Sequence, residues 1–215
     1  MAAKTDTPRK TDRRTLYTRN AVKDALLELL ERQPYEKITV AALCRQAEIT
    51  RATFYLHFQS IDGVLNELLD EALMVTETRI REESPTVKMD ALNQLLQTGT
   101  ADDLRRNEHL LSPCQRVAED PKYRVILQDT TLSSYVIHRI YRMERDKIVP
   151  YLSERCSLSL WEADKLFMML IFGQFYMNQA LKWSKDTNWY EMQFLASCFM
   201  NGGFEALRNK NRNPV

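Results

Sequence analysis

Residues 51–58, Arg-Ala-Thr-Phe-Tyr-Leu-His-Phe, put an unusual mixture of side chains on one short segment. Read at helical spacing, Phe54 and Phe58 lie four apart and face inward. Arg51, Ala52, Thr53, Tyr55, Leu56 and His57 remain on the outer faces or at the front end. A helix that is apolar behind and carries guanidinium, hydroxyl and imidazole donors in front can enter a major groove ~12 Å wide. There such donors meet phosphate oxygens and base edges.

The other reactive side chains do not cluster. Cys44, Cys114, Cys156 and Cys198 form no CxxC pair, and His57, His109 and His138 are scattered. A metal site needs gathered ligands, so no metal and no cofactor is expected, and the cysteines read as packed free thiols. Cys114 follows Pro113 and lies near Arg116, so a redox-sensitive thiol is the alternative there. No Ser-His-Asp order and no phosphate-cradling glycine loop is visible, and the chain is not expected to be an enzyme.

The elements that must position residues 51–58 are helical. The chain has 215 residues, 44% hydrophobic, with only 5 Gly and 7 Pro. That glycine shortage points to an all-α fold rather than a sheet with many tight turns. No run of eighteen apolar residues suggests a membrane span, and the polar N-terminus has no secretory apolar region, so a cytoplasmic location is expected. The net charge of +1 conceals an asymmetry. Residues 1–60 hold 11 Lys/Arg against 7 Asp/Glu, a net of +4; the remainder holds 19 against 22, a net of −3. A basic head on a slightly acidic body suits a nucleic-acid partner.

Along the chain, residues 1–13 read as a disordered basic arm. Leu16, Ala21, Val22, Ala25, Leu26, Leu29 and Leu30 predict a helix from Thr15 to Gln33, which Pro34 ends. Thr39 caps a short helix over Val40–Ala47, Glu48 and Ile49 make a turn, and Thr50 caps Arg51–Phe58. Ser60 opens a helix over Ile61–Glu83. Helices then follow at Val87–Thr98, Ala101–Leu111, Pro121–Leu127, Leu132–Val149, Leu160–Ser184 and, capped by Asn188, Trp189–Leu207. The domain reading is 1–13 arm, 14–60 helix-turn-helix, 61–84 connecting helix and 85–210 helical body.

Two short helices joined by a tight turn after an amphipathic helix form a helix-turn-helix. Here the sequence resembles the TetR family of transcriptional regulators. The resemblance is carried by Ile38-Thr39-Val40-Ala41-Ala42-Leu43, the turn Ala47-Glu48-Ile49-Thr50, the segment Arg51 to Phe58 with its Tyr55-x-His57-Phe58 group, and Gln59 to Leu65. It covers residues 14–75 by motif. Two departures stand out: Glu48 replaces the usual turn glycine, and Ser60-Ile61-Asp62 lacks the lysine that often follows the serine.

The resemblance implies a ligand-responsive repressor that binds a palindromic double-stranded DNA operator as a homodimer. A small-molecule effector in the C-terminal domain would release it. Thr39, Tyr55 and His57 then take phosphates, Arg51, Ala52 and Thr53 read base edges, and Leu56 meets a thymine methyl. Packing against the first helix is the alternative for Tyr55. Arg9, Lys10, Arg13 and Arg14 serve either as a DNA-reaching arm or as a solubilising tail.

The family's dimer bundle falls on the last two helices. It is expected at Phe167, Leu170, Ile171, Phe175 and Asn178, and at Phe194, Leu195, Cys198, Phe199, Gly202 and Gly203. Intrachain packing is the alternative. The effector site is expected at His109, Tyr135, His138, Arg139, Met168, Phe172, Gln174 and Tyr176, residues that equally suit an ordinary core. A competing reading is a DNA-bound helical scaffold that recruits a protein partner without a small ligand.

Overall fold

A computed structural model describes residues 10–78, 85–111, 115, 118 and 120–212. Among them all regular structure is helical. The chain divides into two compact units: residues 1–72 with 129–131, and residues 73–128 with 132–215.

The first unit begins with α1 (Lys10–Leu30), whose Val22, Ala25, Leu26, Leu29 and Leu30 form a buried stripe at steps of three and four. The helix starts at Lys10, so the end of the predicted arm is helical; residues 1–9 fall outside the described residues. Leu16 does not join the stripe and is exposed. Beyond Pro34 the chain makes a 3-10 turn at Tyr35–Lys37 and enters α2 (Val40–Gln46), α3 (Arg51–His57) and α4 (Ile61–Thr78).

Three polar residues start these helices as expected. Thr39 Oγ1 accepts from the Ala42 N–H at 3.2 Å, Thr50 Oγ1 from Thr53 at 3.1 Å, and Ser60 Oγ from Gly63 at 3.2 Å. The first unit continues past residue 60. Val64, Leu65, Leu68, Leu69 and Ala72 of α4 are buried. Arg19 and Lys23 of α1 pair with Glu67 and Glu71 of α4, four residues apart on both helices.

In the second unit α5 spans Pro85–Thr98, α6 Ala101–Arg106 and α7 Pro121–Gln128. The three long helices are α8 (Ser133–Cys156), α9 (Leu160–Ala180) and α10 (Thr187–Arg212). The helix expected to reach Leu111 stops at Arg106 and is followed by a 3-10 turn at Glu108–Leu110. In contrast, α8 runs through Pro150 instead of ending at Val149. Proline forfeits one ladder hydrogen bond, but Leu152 and Cys156 beyond it are buried and hold the last turn.

The α9 helix closes four residues earlier than Ser184. Lys182 N donates to Gln179 O at 2.9 Å and Trp183 N to Asn178 O at 3.0 Å, with Lys182 in the left-handed region at φ 53°. This is the paired-carbonyl C-terminal cap that glycine usually serves. Here the 0% exposure of Trp183, edge-on to Phe175, holds it. The cap of α10 is Asp186, whose carboxylate accepts from Trp189 N at 2.9 Å, and not Asn188.

The core of this unit gathers Val136, Ile137 and Ile140 of α8 with Phe167, Ile171 and Phe175 of α9. Beside it Leu104, Leu111, Trp189 and Tyr190 form a cluster that Leu92, Leu95, Leu181 and Phe194 pack against. No described helix is long and apolar enough to cross a membrane.

Candidate nucleic-acid interface

The turn between α2 and α3 is built on a strained residue. Glu48 has φ 53°, a left-handed conformation that costs a non-glycine residue about 1–2 kcal/mol. Its N–H and that of Ile49 close on the carbonyls of Arg45 and Cys44 at 3.3 and 2.9 Å, so the turn ends α2 and aims α3. Burial pushes the Cys44 thiol up, against the pull of the nearby Arg51 guanidinium. It behaves as a packed thiol, and so does buried Cys156, which shifts the same way. Cys114 lies outside the described residues.

The α3 helix sorts its side chains cleanly. Phe54 and Phe58 are buried, with ring centroids 6.0 Å apart. Arg51, Ala52, Tyr55 and Leu56 are exposed, Leu56 at 82%. Tyr55 touches Phe54 edge-on at 5.3 Å but keeps 59% of its surface open, so it is not absorbed by packing. Thr53 is half-buried and its hydroxyl lies 2.9 Å from that of Thr50, which ties it to the helix start. Thr39 is exposed at the front of α2, and its hydroxyl, which accepts from Ala42 N–H, keeps a proton that it can donate outward. His57 is half-buried at the end of α3.

Residues that the sequence reading had not assigned hold this surface from behind. Arg19 Nη1 donates to the His57 carbonyl at 2.8 Å, and its guanidinium carbon lies 4.5 Å from the Phe58 ring centroid. Tyr35 bridges within the same unit: its hydroxyl donates to Asp62 at 2.5 Å and its N–H to Asp129 at 2.7 Å. In the sequence Arg19 is one of 30 Lys/Arg side chains, with no local pattern to single it out. Asp129 is 94 residues away from Tyr35, beyond the reach of local pattern.

In the second unit the residues expected at a dimer face separate into three groups, buried, half-buried and exposed. Phe167, Ile171, Phe175 and Asn178 are buried in this chain's own core, and Phe194 packs on the Trp189 cluster. For the first four, this burial fits the alternative of packing within the chain; Phe194 is half-buried. Leu170 and Cys198 are half-buried. Leu195 (61% exposed), Phe199 (81%), Gly202 and Gly203 face outward, and nothing lies within 4 Å of a Cβ built on either glycine. Among the described residues, no close helix crossing explains that glycine pair. On α9 the outward stripe is Met169, Gly173 and Tyr176, one step round from the expected residues. Because α9 is apolar nearly all round, periodicity did not tell its two faces apart.

Asn178 has a structural task. Its Oδ1 accepts from Trp189 Nε1 at 2.7 Å and from Gln193 Nε2 at 2.9 Å, and Gln193 accepts in turn from Gln115. All four side chains are buried.

Of the residues expected at an effector site, His138 and Phe172 meet edge-on at 5.0 Å, and Phe172 lies 6.3 Å from Tyr141. Arg139, Met168 and Gln174 are half-buried; Tyr135, His138 and Tyr176 are exposed on α8 and α9. His109 is exposed on the 3-10 turn, a different element. Beside this aromatic group, Asp164 accepts from Tyr141 at 2.5 Å, Arg145 at 2.6 Å and Lys165 at 3.0 Å. These donors hold its carboxyl well below the usual carboxylate range.

A capped two-helix hairpin with a donor-bearing second helix defines the class: a helix-turn-helix nucleic-acid-binding head. Residues 22–68 match the family described as bacterial regulatory proteins, tetR family, so the chain carries a domain of that family at its head. It is 37% identical over 62 residues to the uncharacterized HTH-type transcriptional regulator YxbF of Bacillus subtilis (strain 168), a match covering 28% of this chain and 16% of that protein. It is 35% identical over 83 residues to the nucleoid occlusion factor SlmA of Marinomonas sp. (strain MWYL1), covering 37% of this chain and 39% of that protein. The chain thus spans well under half the length of either relative.

Proposed function

We propose that this chain is a DNA-binding transcription regulator that grips a palindromic operator as a homodimer and leaves it when a small molecule binds the helical body. The observation that carries the reading is the sorting of α3: Phe54 and Phe58 inward, Arg51, Ala52, Tyr55 and Leu56 outward on a helix capped by Thr50. Arg51 reads a guanine edge, Ala52 and Leu56 meet thymine methyls, and Thr39, Tyr55 and His57 hold phosphates. The chain acts on gene expression and catalyses no reaction of its own.

The dimer forms through the outward stripes of α9 and α10: Met169, Gly173 and Tyr176 on one, Leu195, Phe199, Gly202 and Gly203 on the other. An open apolar surface of that kind suits a partner copy, and the glycines let its backbone come close. The effector lies against His138, Phe172 and Gln174, and favours the state that does not fit the operator.

Selection from a random duplex library at fixed salt tests this. Enrichment of a two-fold symmetric site, lost in Arg51→Ala, is expected; enrichment of none overturns it. The similarity to a protein named nucleoid occlusion factor favours a second reading, in which the DNA-bound dimer recruits a protein. A site that no small molecule can release, with a protein retained on the DNA-bound form, would select that reading.

A further inference from the structure

We infer that Arg19 is the positioning residue of the DNA-reading helix, acting through the His57 carbonyl and Glu67 rather than by touching DNA; this rests on the DNA-binding reading above. With seven residues, α3 spans fewer than two turns and cannot hold its own shape or direction. Its front end is fixed by Thr50. Its back end exposes carbonyls that have no partner within the helix.

Arg19 meets that end from α1. One arm of the guanidinium donates to the His57 carbonyl at 2.8 Å, the other reaches the Glu67 carboxylate on α4, and the plane lies 4.5 Å from the ring of Phe58. Phe58 is where the chain leaves the helix, at φ −140°. A cation at a helix C-terminus is favourable in itself. A planar fork also fixes direction, which an ammonium does not. A single side chain therefore ties α1, the exit of α3 and α4. Lys23–Glu71, one turn further along both helices, holds the α1–α4 register that Arg19 relies on.

The competing role is a phosphate contact, since Arg19 is a cation in a basic head and its side chain is 30% exposed. The two roles predict opposite signs. If Arg19 served phosphates, Glu67→Gln would remove a competing acid and strengthen DNA binding. If Arg19 positions α3, Glu67→Gln loosens the fork and weakens specific binding.

The experiment uses the full chain and the duplex that it selects. It measures affinity for that site and for a scrambled duplex at one salt concentration, for the original chain and for Glu67→Gln, Arg19→Met and Arg19→Lys. Thermal unfolding shows that each is folded at the assay temperature. We expect Glu67→Gln and Arg19→Met to lower the specific-to-scrambled ratio about ten-fold, the scale of one lost base contact. Scrambled binding stays within about two-fold. Arg19→Lys behaves like Arg19→Met, because charge alone does not replace the fork. Tighter binding in Glu67→Gln, full function in Arg19→Lys, or an equal loss on both duplexes overturns the inference while leaving the DNA-binding reading standing. A chain that selects no site overturns both.

Discussion

The indole N–H of Trp189 donates to Asn178 Oδ1 at 2.7 Å, linking α10 to α9 between two side chains that are almost wholly out of water. The same oxygen accepts from Gln193, so one side chain satisfies two buried donors. Buried donors left without an acceptor cost about 1–3 kcal/mol each. Asn178→Ala is expected to lose about 3 kcal/mol of stability. Urea unfolding measures it; a loss under about 1 kcal/mol would mean that the network is not a tie.

Glu48 occupies a backbone conformation that suits glycine, and it carries a negative charge in the turn that leads into the helix proposed to read DNA. Glu48→Gly is expected to stabilise the chain by about 1 kcal/mol, and also to tighten binding to duplex DNA. Glu48→Gln separates the two effects: it keeps the strain and removes only the charge. Paired melting and affinity measurements decide, and a melting midpoint that falls in Glu48→Gly would refute the strain argument.

Phe199 and Leu195 are large apolar side chains turned to solvent on α10. Phe199→Glu should leave the helical circular dichroism intact and shift sedimentation to the mass of a single chain. Wild-type chain that sediments as a monomer would remove the basis for a two-fold operator.

Acid should act on Asp164. Its carboxyl is held below its ordinary range by the hydroxyl of Tyr141, then by Lys165 and Arg145. A group depressed in the folded state lends stability above its unfolded pKa of about 4, and that stability is lost as pH falls through the folded value. Below about pH 4 the original chain should therefore lose stability more steeply than Asp164→Asn. Denaturation midpoints between pH 5 and 2 test it; parallel curves would refute it. Asp103, lowered to about 2 by Arg106 and by Thr100, follows the same rule and remains as an internal control in both proteins.

Local chemistry made the head readable. Thr39, Thr50 and Ser60 each announce a helix start, and the Phe54–Phe58 spacing tells inside from outside. The body was harder because its decisive relations are long in sequence. Asn178 looks like an interface amide until Trp189 and Gln193 fold against it, and nothing near it signals a buried network. On α9 both faces are apolar, so Phe167 and Ile171 are indistinguishable from Met169 by pattern alone. The end of α9 misled for a related reason: no glycine or proline marks it, because a buried tryptophan supplies the stop.

The α4 helix gives its first twelve residues to the first unit, down to Ala72. A transplantable reading head therefore has a definite minimum length. A chimaera joined at residue 60 would discard Glu67 and Glu71, stranding Arg19 and Lys23 as bare cations beside exposed leucines. One joined after Ala72 keeps both ion pairs, and would still leave behind Asp129, so that the turn at Tyr35 would need a new acceptor from its adopted partner.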